Sequence, residues 1–99
     1  MSITTKTEGN IHTIKIQGRL DFNVQSEFRS AYESVVGSSK FILDMTSVEY
    51  MDSSALGMLL LLRDHAGGGR ATIELHHCRS EVKSILEIAN FQKLFVILD

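Results

Sequence analysis

The sequence predicts a single α/β domain built on a mixed, mostly parallel sheet with an antiparallel hairpin at its N-terminus. The chain has 99 residues, which is enough for one hydrophobic core and little else. Short strand-like runs alternate with helix-like runs, and this alternation implies crossover connections between parallel strands. A Gly-Asn turn joins the first two strand-like runs. The predicted order of elements is β-β-α-β-α-β-α-β.

The N-terminal hairpin is predicted from its turn and from the alternation of its second strand. Residues 2–7 and 11–18 are strand-like, and they flank residues 8–10 (Glu-Gly-Asn). Gly and Asn both tolerate positive φ, so this pair is a hairpin turn signal. Apolar and polar residues alternate in the second run, as in a half-buried strand. Gly18 is expected to end it.

A helix and a central strand follow the hairpin. Asp21 is a suitable N-cap for a helix, and Gly37 is expected to stop that helix. Residues 41–43 are apolar without alternation, which favours a central strand buried on both faces. The helix presents one apolar stripe, formed by Val24, Phe28, Ala31, Tyr32 and Val35.

The predicted second helix begins in the most informative segment of the chain. A loop is expected from Asp44 to Asp52, followed by a helix through about Ala66 that three consecutive glycines end. In open α/β sheets, partners and ligands bind at the carboxyl ends of strands and at helix N-termini. Capping needs one polar residue, whereas this helix start has three in a row, Asp52, Ser53 and Ser54. The excess favours a functional site over a simple cap.

The same helix is more apolar than a surface helix needs to be. Seven of the eight residues from 55 to 62 are apolar, whereas a surface helix needs only a stripe. One interpretation is that neighbouring elements bury the helix deeply. The other is that an apolar patch stays exposed for a partner, since a small domain has few elements with which to cover a helix. The residues alone leave both interpretations open.

The C-terminal third is predicted to complete the sheet. Residues 71–75 alternate as a strand, and residues 94–98 form a last apolar strand. Ser80 is expected to cap the helix between them. The buried stripe of that helix consists of Val82, Ile85, Leu86 and Ala89.

Composition and charge narrow the class of protein. Hydrophobic residues make up 43% and charged residues 22% of the chain, as in ordinary soluble domains. A net charge of -2 disfavours a nucleic-acid binder, which would carry a basic excess. The single cysteine, Cys78, cannot form an internal disulfide, so a reducing, cytoplasmic location is expected. The N-terminus lacks a signal-peptide pattern, and the longest apolar stretch is too short to insert into a membrane.

Three segments together resemble a known family. Residues 50–57 (YMDSSALG), residues 18–21 (GRLD) and residues 90–95 (NFQKLF) resemble the STAS domains, and more narrowly the bacterial anti-sigma factor antagonists. The likeness covers nearly the whole chain and implies a STAS-like fold. It points to the single-domain antagonists of gamma-proteobacteria, which work with a response-regulator-type serine kinase/phosphatase. Many members have Gly where this chain has Ala55, a small change at a helical position.

The resemblance implies a switch without catalytic residues or cofactors. In the family, a partner kinase phosphorylates the second serine of the Asp-Ser-Ser motif, which by position is Ser54. The unphosphorylated form is expected to bind an anti-sigma factor and free the sigma factor, and a phosphatase resets the switch. Asp52 is expected to cap the helix, to orient Ser54 for phosphoryl transfer, or both. The predicted partner-binding residues are Asp21, Asp52, Ser53, Ser54, Leu56, Gly57, Met58 and Leu61.

The sequence offers weaker support for three other kinds of site or function. An enzyme would use Ser54 as nucleophile with His65 or His12 as base, but the chain has no Gly-x-Ser-x-Gly elbow. His65 also lies about 16 Å along the helix by helical rise. A metal site at residues 76–78 is disfavoured, because adjacent strand residues face opposite ways. A STAS accessory subunit of a lipid-transport ABC complex would use the same helix without phosphorylation. The oligomeric state stays open.

Overall fold

Five strands build one sheet in the computed structural model, which describes residues 2–35 and 40–98. In chain order the strands are β1 (Ser2–Glu8), β2 (Ile11–Leu20), β3 (Lys40–Met51), β4 (Thr72–His76) and β5 (Val96–Leu98). They are neighbours in that same order; β1 and β2 are antiparallel, and the other pairs are parallel. The structure thereby confirms the predicted α/β class, the mixed sheet and the N-terminal hairpin.

The described residues form three α-helices, α1 (Gln25–Ser30), α2 (Ser53–His65) and α3 (Ser80–Ile88). Helix α2 is capped by the side chain of Asp52, whereas Arg79 before α3 makes no such bond. Ser80, predicted to cap the third helix, is instead its first residue. That prediction was wrong because Arg79 occupies the N-cap position, where its backbone is extended.

The segment after Asp21 begins with a 3₁₀ turn and not with the predicted α-helix. The Asp21 side chain caps this turn, Phe22–Val24, by accepting from the Asn23 backbone N–H. Helix α1 begins only after it, without a side-chain cap. Gly37, the predicted helix stop, lies outside the described residues.

Strands β2 and β3 run further than their sequence patterns predicted. β2 passes Gly18 and ends at Leu20, and β3 continues to Met51 through the segment that was predicted as a loop. The β2–β3 register contains irregularities that shift the phase of burial along β3. The loop prediction was wrong because these bulges break the period of two that identifies a strand. The buried residues of β3 are Phe41, Leu43, Met45, Val48 and Met51.

Within the described residues, the core lies on one face of the sheet, and the side chains of the other face are only partly buried or exposed. Alternate strand residues such as Leu43 and Leu75 are fully buried in one core with Leu59 of α2 and Leu86 of α3. Their neighbours point the other way, and Ile42 is only partly buried. The prediction that residues 41–43 are buried on both faces was therefore wrong.

The last strand is shorter than the predicted run of residues 94–98. Residues Phe91–Lys93 form a 3₁₀ turn, and β5 begins at Val96. The rings of Phe91 and Phe95 stack with centroids 5.3 Å apart, and both are buried. This packing fixes the approach of the chain to the sheet edge. Among the described residues, no helix combines the length and apolar character needed to cross a bilayer.

Candidate functional site

The candidate site lies where β2 and β3 end and α2 begins. The strands pair Arg19 with Tyr50 and Leu20 with Met51. This register brings the loop that starts at Asp21 beside the start of α2. The two segments that the sequence analysis singled out, residues 18–21 and 50–57, therefore meet at one edge of the sheet.

Asp52 holds the serine predicted to be phosphorylated. Its Oδ1 atom accepts from the Ser54 backbone N–H at 3.0 Å, which caps α2. The same oxygen accepts from the Ser54 hydroxyl at 2.5 Å. Ser54 is partly buried, and its neighbour Ser53 is exposed. The Ser54 hydroxyl is thus fixed in direction without being sealed in the core.

The charge of Asp52 is stabilised by these bonds. The hydrogen bond from the Ser54 hydroxyl is the main reason that the pKa of Asp52 lies below its usual value. Backbone N–H groups of Ser54 and Ala55 and the positive charge of Arg19 act in the same direction, and partial desolvation opposes them. The carboxylate is therefore ionised at neutral pH and acts only as an acceptor.

Arg19 and Tyr50 belong to the site, although the sequence analysis did not select them. The Arg19 guanidinium lies 4.1 Å from the centroid of the Tyr50 ring, a cation–π contact. Arg19 Nε also donates to Asp21 Oδ2 at 3.2 Å. Both residues lie in segments that carry the family resemblance. Their pairing depends on the β2–β3 register, which no single-sequence pattern reveals.

Asp21 has mainly internal partners. The residue is buried, with 8% of its surface exposed, and its carboxylate accepts from Arg19 and from the Asn23 backbone N–H at 3.0 Å. The structure thus makes Asp21 a support for the neighbouring Arg19. A surface pocket of about 510 Å³ opens beside this pair and is lined by Gly18, Arg19, Asp21, Asn23, Val24 and Glu27.

Helix α2 is packed on one side and apolar on part of its exposed side. Leu60 is 42% and Leu61 52% exposed, so an apolar patch remains. Leu56 is partly buried and Gly57 exposed. Met58, predicted to contact a partner, is 4% exposed and belongs to the core; this prediction was wrong because Met58 lies on the inward face of the helix. Deep burial thus describes the inward side of α2, and an exposed apolar patch describes part of its outward side.

The histidines considered as bases contact other groups. His12 Nδ1 lies 2.6 Å from Thr7 Oγ1, and His12 Nε2 lies 2.9 Å from the Ala31 carbonyl oxygen. His65 Nε2 lies 2.6 Å from the Val35 carbonyl oxygen. The only side chain that bonds the Ser54 hydroxyl within the described residues is Asp52. In the same part of the chain, no three His, Cys, Asp or Glu side chains are arranged to hold a metal ion.

One family model and one related protein each match nearly the whole chain. The family model described as "Mlab, STAS domain" matches residues 3–98. A STAS-domain containing protein of Pseudomonas aeruginosa (strain UCBPP-PA14) is 51% identical over 100 residues, which cover 98% of this chain and 99% of that protein.

Solved structures share the fold at low sequence identity. The anti-sigma factor antagonist SpoIIAA in its unphosphorylated form has a TM-score of 0.71 at 16% identity, covering 99% of this chain and 88% of its own. The phosphorylated form of the Bacillus protein SpoIIAA has a TM-score of 0.69 at 13% identity, covering 97% and 90%. A sulfate transporter family protein from Wolinella succinogenes has a TM-score of 0.78 at 17% identity, covering 95% and 80%.

Proposed function

The chain belongs to the STAS domain family, and we propose that it is a protein-binding switch of the anti-sigma factor antagonist kind, controlled by phosphorylation of Ser54. The unphosphorylated form binds an anti-sigma factor and frees the sigma factor. A serine kinase adds the phosphoryl group and a phosphatase removes it, both in the cytoplasm where sigma factors act. The observation that carries the proposal is the 2.5 Å hydrogen bond from the Ser54 hydroxyl to Asp52 at the start of α2.

Asp52 prepares the hydroxyl for phosphorylation. The ionised carboxylate accepts the hydroxyl hydrogen, so the Ser54 oxygen is held in one rotamer with a lone pair free for attack. A kinase has only to bring the phosphate of its nucleotide in line with that oxygen, since phosphoryl transfer depends mainly on positioning and charge. Ser53 lacks this hydrogen bond to Asp52 and is the less suitable acceptor of the two serines.

The added charge leaves the fold intact. Phosphoserine carries roughly -1.5 to -2 charges at neutral pH. At the N-terminus of a helix such a charge is favourable by about 0.3–1 kcal/mol. Ser54 is only partly buried and lies in the first turn of α2, before buried Leu59 and Leu62. Phosphorylation is therefore compatible with the native structure.

The same charge opposes binding. The proposed contact surface consists of the Ser53–Ser54 start of α2 with Leu56, Gly57 and the exposed Leu61. A partner that covers this surface must desolvate the phosphate beside Asp52. Leaving a buried charge without a partner costs about 2–5 kcal/mol, which is about 30-fold to several-thousand-fold in affinity. Because this penalty exceeds the gain to the fold, phosphorylation releases the partner without unfolding the switch.

The likeness to SpoIIAA in both phosphorylation states supports this proposal at the level of the fold. It is consistent with a scaffold that accepts a phosphoryl group without a change of architecture. The residue-level assignment rests on the Asp52–Ser54 geometry of this chain.

The test begins with the site of modification. Phosphopeptide mass spectrometry on protein purified from its own cells should find phosphate on Ser54. The Ser54→Ala variant is then used to capture the anti-sigma factor, and its affinity is compared with that of Ser54→Asp. Ser54→Asp should bind at least about 30-fold more weakly. Ser80→Asp is the matched control, because it places the same charge at the start of α3, outside the proposed contact surface. Equal affinity of all three variants, together with no effect of phosphorylation on the wild type, would refute the proposal.

A second candidate function is an accessory subunit of a transporter. It is favoured by the description of the matching family model and by the fold shared with the Wolinella succinogenes transporter family protein. In this case α2 docks on an ATPase subunit and Ser54 is never modified. Recovery of an ATPase subunit by both the Ser54→Ala and the Ser54→Asp bait would favour this function over the switch.

A further inference from the structure

Phosphorylation of Ser54 creates an electrostatic problem within the site. The hydroxyl loses the hydrogen that it donates to Asp52 at 2.5 Å, and a group with up to two negative charges takes its place. The bond between the two side chains is thereby replaced by repulsion. Asp21 adds a further negative charge at the neighbouring loop. A cation that is already close offsets this repulsion and favours the phosphorylated form further.

Arg19 is such a cation. It is the basic residue whose charge acts on Asp52 in the unmodified protein. Its side chain is 62% exposed and is held at two points, by the ion pair of Nε with Asp21 at 3.2 Å and by the Tyr50 ring at 4.1 Å. The ion pair uses Nε, so the two terminal amino groups of the guanidinium are not taken up by Asp21.

We propose that Arg19 is a positioning residue of the switch and serves as the internal counter-ion of phosphorylated Ser54. This inference rests on the proposed function and adds the residue that stabilises its modified state. The planar guanidinium binds phosphate through two parallel hydrogen bonds. Because Tyr50 and Asp21 already restrict the Arg19 side chain, little further entropy is lost when it binds the phosphate.

The balance of charge explains why the phosphate attracts the Arg19 guanidinium even though Arg19 is already paired with Asp21. Arg19, Asp21 and Asp52 together carry one positive and two negative charges when Ser54 is unmodified. Phosphorylation raises the negative excess by roughly 1.5 to 2. A dianion attracts the guanidinium more strongly than a single carboxylate at a similar distance. The Asp21–Nε contact need not break, because the terminal amino groups bind the phosphate.

The competing explanation is that Arg19 only joins β2 to β3 by stacking on Tyr50. This role alters the stability of the unmodified protein and leaves the ionisation of a phosphate on Ser54 unchanged. A counter-ion does change the ionisation of the phosphate, because it favours the dianion and so lowers the second pKa of the phosphate. The pKa of the phosphate therefore separates the two roles.

The experiment is a phosphorus NMR titration of protein in which phosphoserine is incorporated biosynthetically at position 54. The second pKa of the phosphate should be lower in the wild type than in Arg19→Gln, by about 1. Arg19→Lys, which keeps the charge but loses the fork, should lie between them. Arg70→Gln is the matched control. Arg70 is exposed and lies just before the N-terminal end of β4, whereas Arg19 lies at the C-terminal end of β2.

Equal phosphate pKa values in the wild type and Arg19→Gln would overturn the inference. The titration needs neither kinase nor partner, so this result would leave the proposed switch standing. Conversely, equal affinity of the partner for Ser54→Ala and Ser54→Asp would argue against the proposed switch, and it would leave the result of the titration unchanged. Circular dichroism on each unmodified variant verifies that it is folded before the phosphate is measured.

Discussion

Two helices of this protein begin with a serine in the first turn after a parallel strand, and only one of them has the features of a switch. At α2, Ser54 bonds to the cap residue Asp52 at 2.5 Å. At α3, Ser80 is exposed, its hydroxyl donates to Glu81 at 3.1 Å, and the cap residue Arg79 makes no side-chain bond. A serine at a helix start is thus not sufficient for a site.

The difference lies in what surrounds each helix start. The start of α2 meets the end of β2, which supplies Arg19, and its surface continues into exposed Leu60 and Leu61. The exposed apolar residue of α3, Ile88, lies at the last residue of that helix, far from Ser80. Only α2 combines a positioned hydroxyl, a nearby cation and an apolar surface.

The largest effect is expected where the two helices are alike, in the core. Leu59 of α2 and Leu86 of α3 are both fully buried. Leu59→Ala and Leu86→Ala should each lower the free energy of unfolding by about 2–5 kcal/mol, through lost burial and a residual cavity. Urea unfolding followed by circular dichroism measures this. Loss of stability in only one variant would show that one helix is not held by the core as described.

An intermediate effect is expected where the helices differ, at their exposed apolar residues. Leu61→Ala should weaken binding of the anti-sigma factor by about 1–2 kcal/mol while changing stability by less than about 0.5 kcal/mol. Ile88→Ala removes a more exposed apolar side chain from α3, at 83% exposure, and should leave affinity unchanged. Calorimetric titration measures both. A larger loss for Ile88→Ala would move the interface to α3.

The smallest effect concerns the pH dependence of the α2 cap. Because the pKa of Asp52 is lowered in the folded state, its ionised form stabilises the fold above about pH 4, the unfolded pKa. This contribution is lost as the pH falls through the folded pKa. Asp52→Asn should therefore lower the urea midpoint at pH 7 and differ less from the wild type at pH 3.

The matched control for this pH effect is Glu81→Gln at the start of α3. Glu81 also accepts a serine hydroxyl, but it does not cap its helix. The Glu81→Gln variant should change the urea midpoint at pH 7 less than Asp52→Asn does. A difference between wild type and Asp52→Asn that grows toward pH 3 would contradict the assignment of Asp52 as the ionised cap.

Local signals in the sequence predicted the fold class, the element order and a polar helix start at Asp52, Ser53 and Ser54, whereas the choice of Ser54 came from the family resemblance. Alternation, glycine stops and capping residues act within a few positions, so they are visible in one chain. The second half of β3 was missed because bulges after Met45 shift the buried positions to Val48 and Met51. These irregularities arise from pairing with β2, which is a tertiary feature.

Two features of the site depended on tertiary structure in the same way. Met58 is apolar like Leu61, and only the packing of α2 shows that Met58 is buried while Leu61 is exposed. Arg19 became part of the site only when the strand register placed it beside Tyr50. The family resemblance identified the Ser54 hydroxyl, whereas packing and register identified the residues that surround it.

The proposed release by phosphorylation is tested most directly by the affinity of the proposed anti-sigma factor partner for protein carrying phosphoserine at position 54. This affinity is measured against unmodified protein and against protein carrying phosphoserine at position 80. We expect phosphoserine at 54 to weaken binding by at least about 30-fold and phosphoserine at 80 to leave it within about twofold, with both proteins folded. Equal weakening at the two positions, or none at position 54, would contradict it.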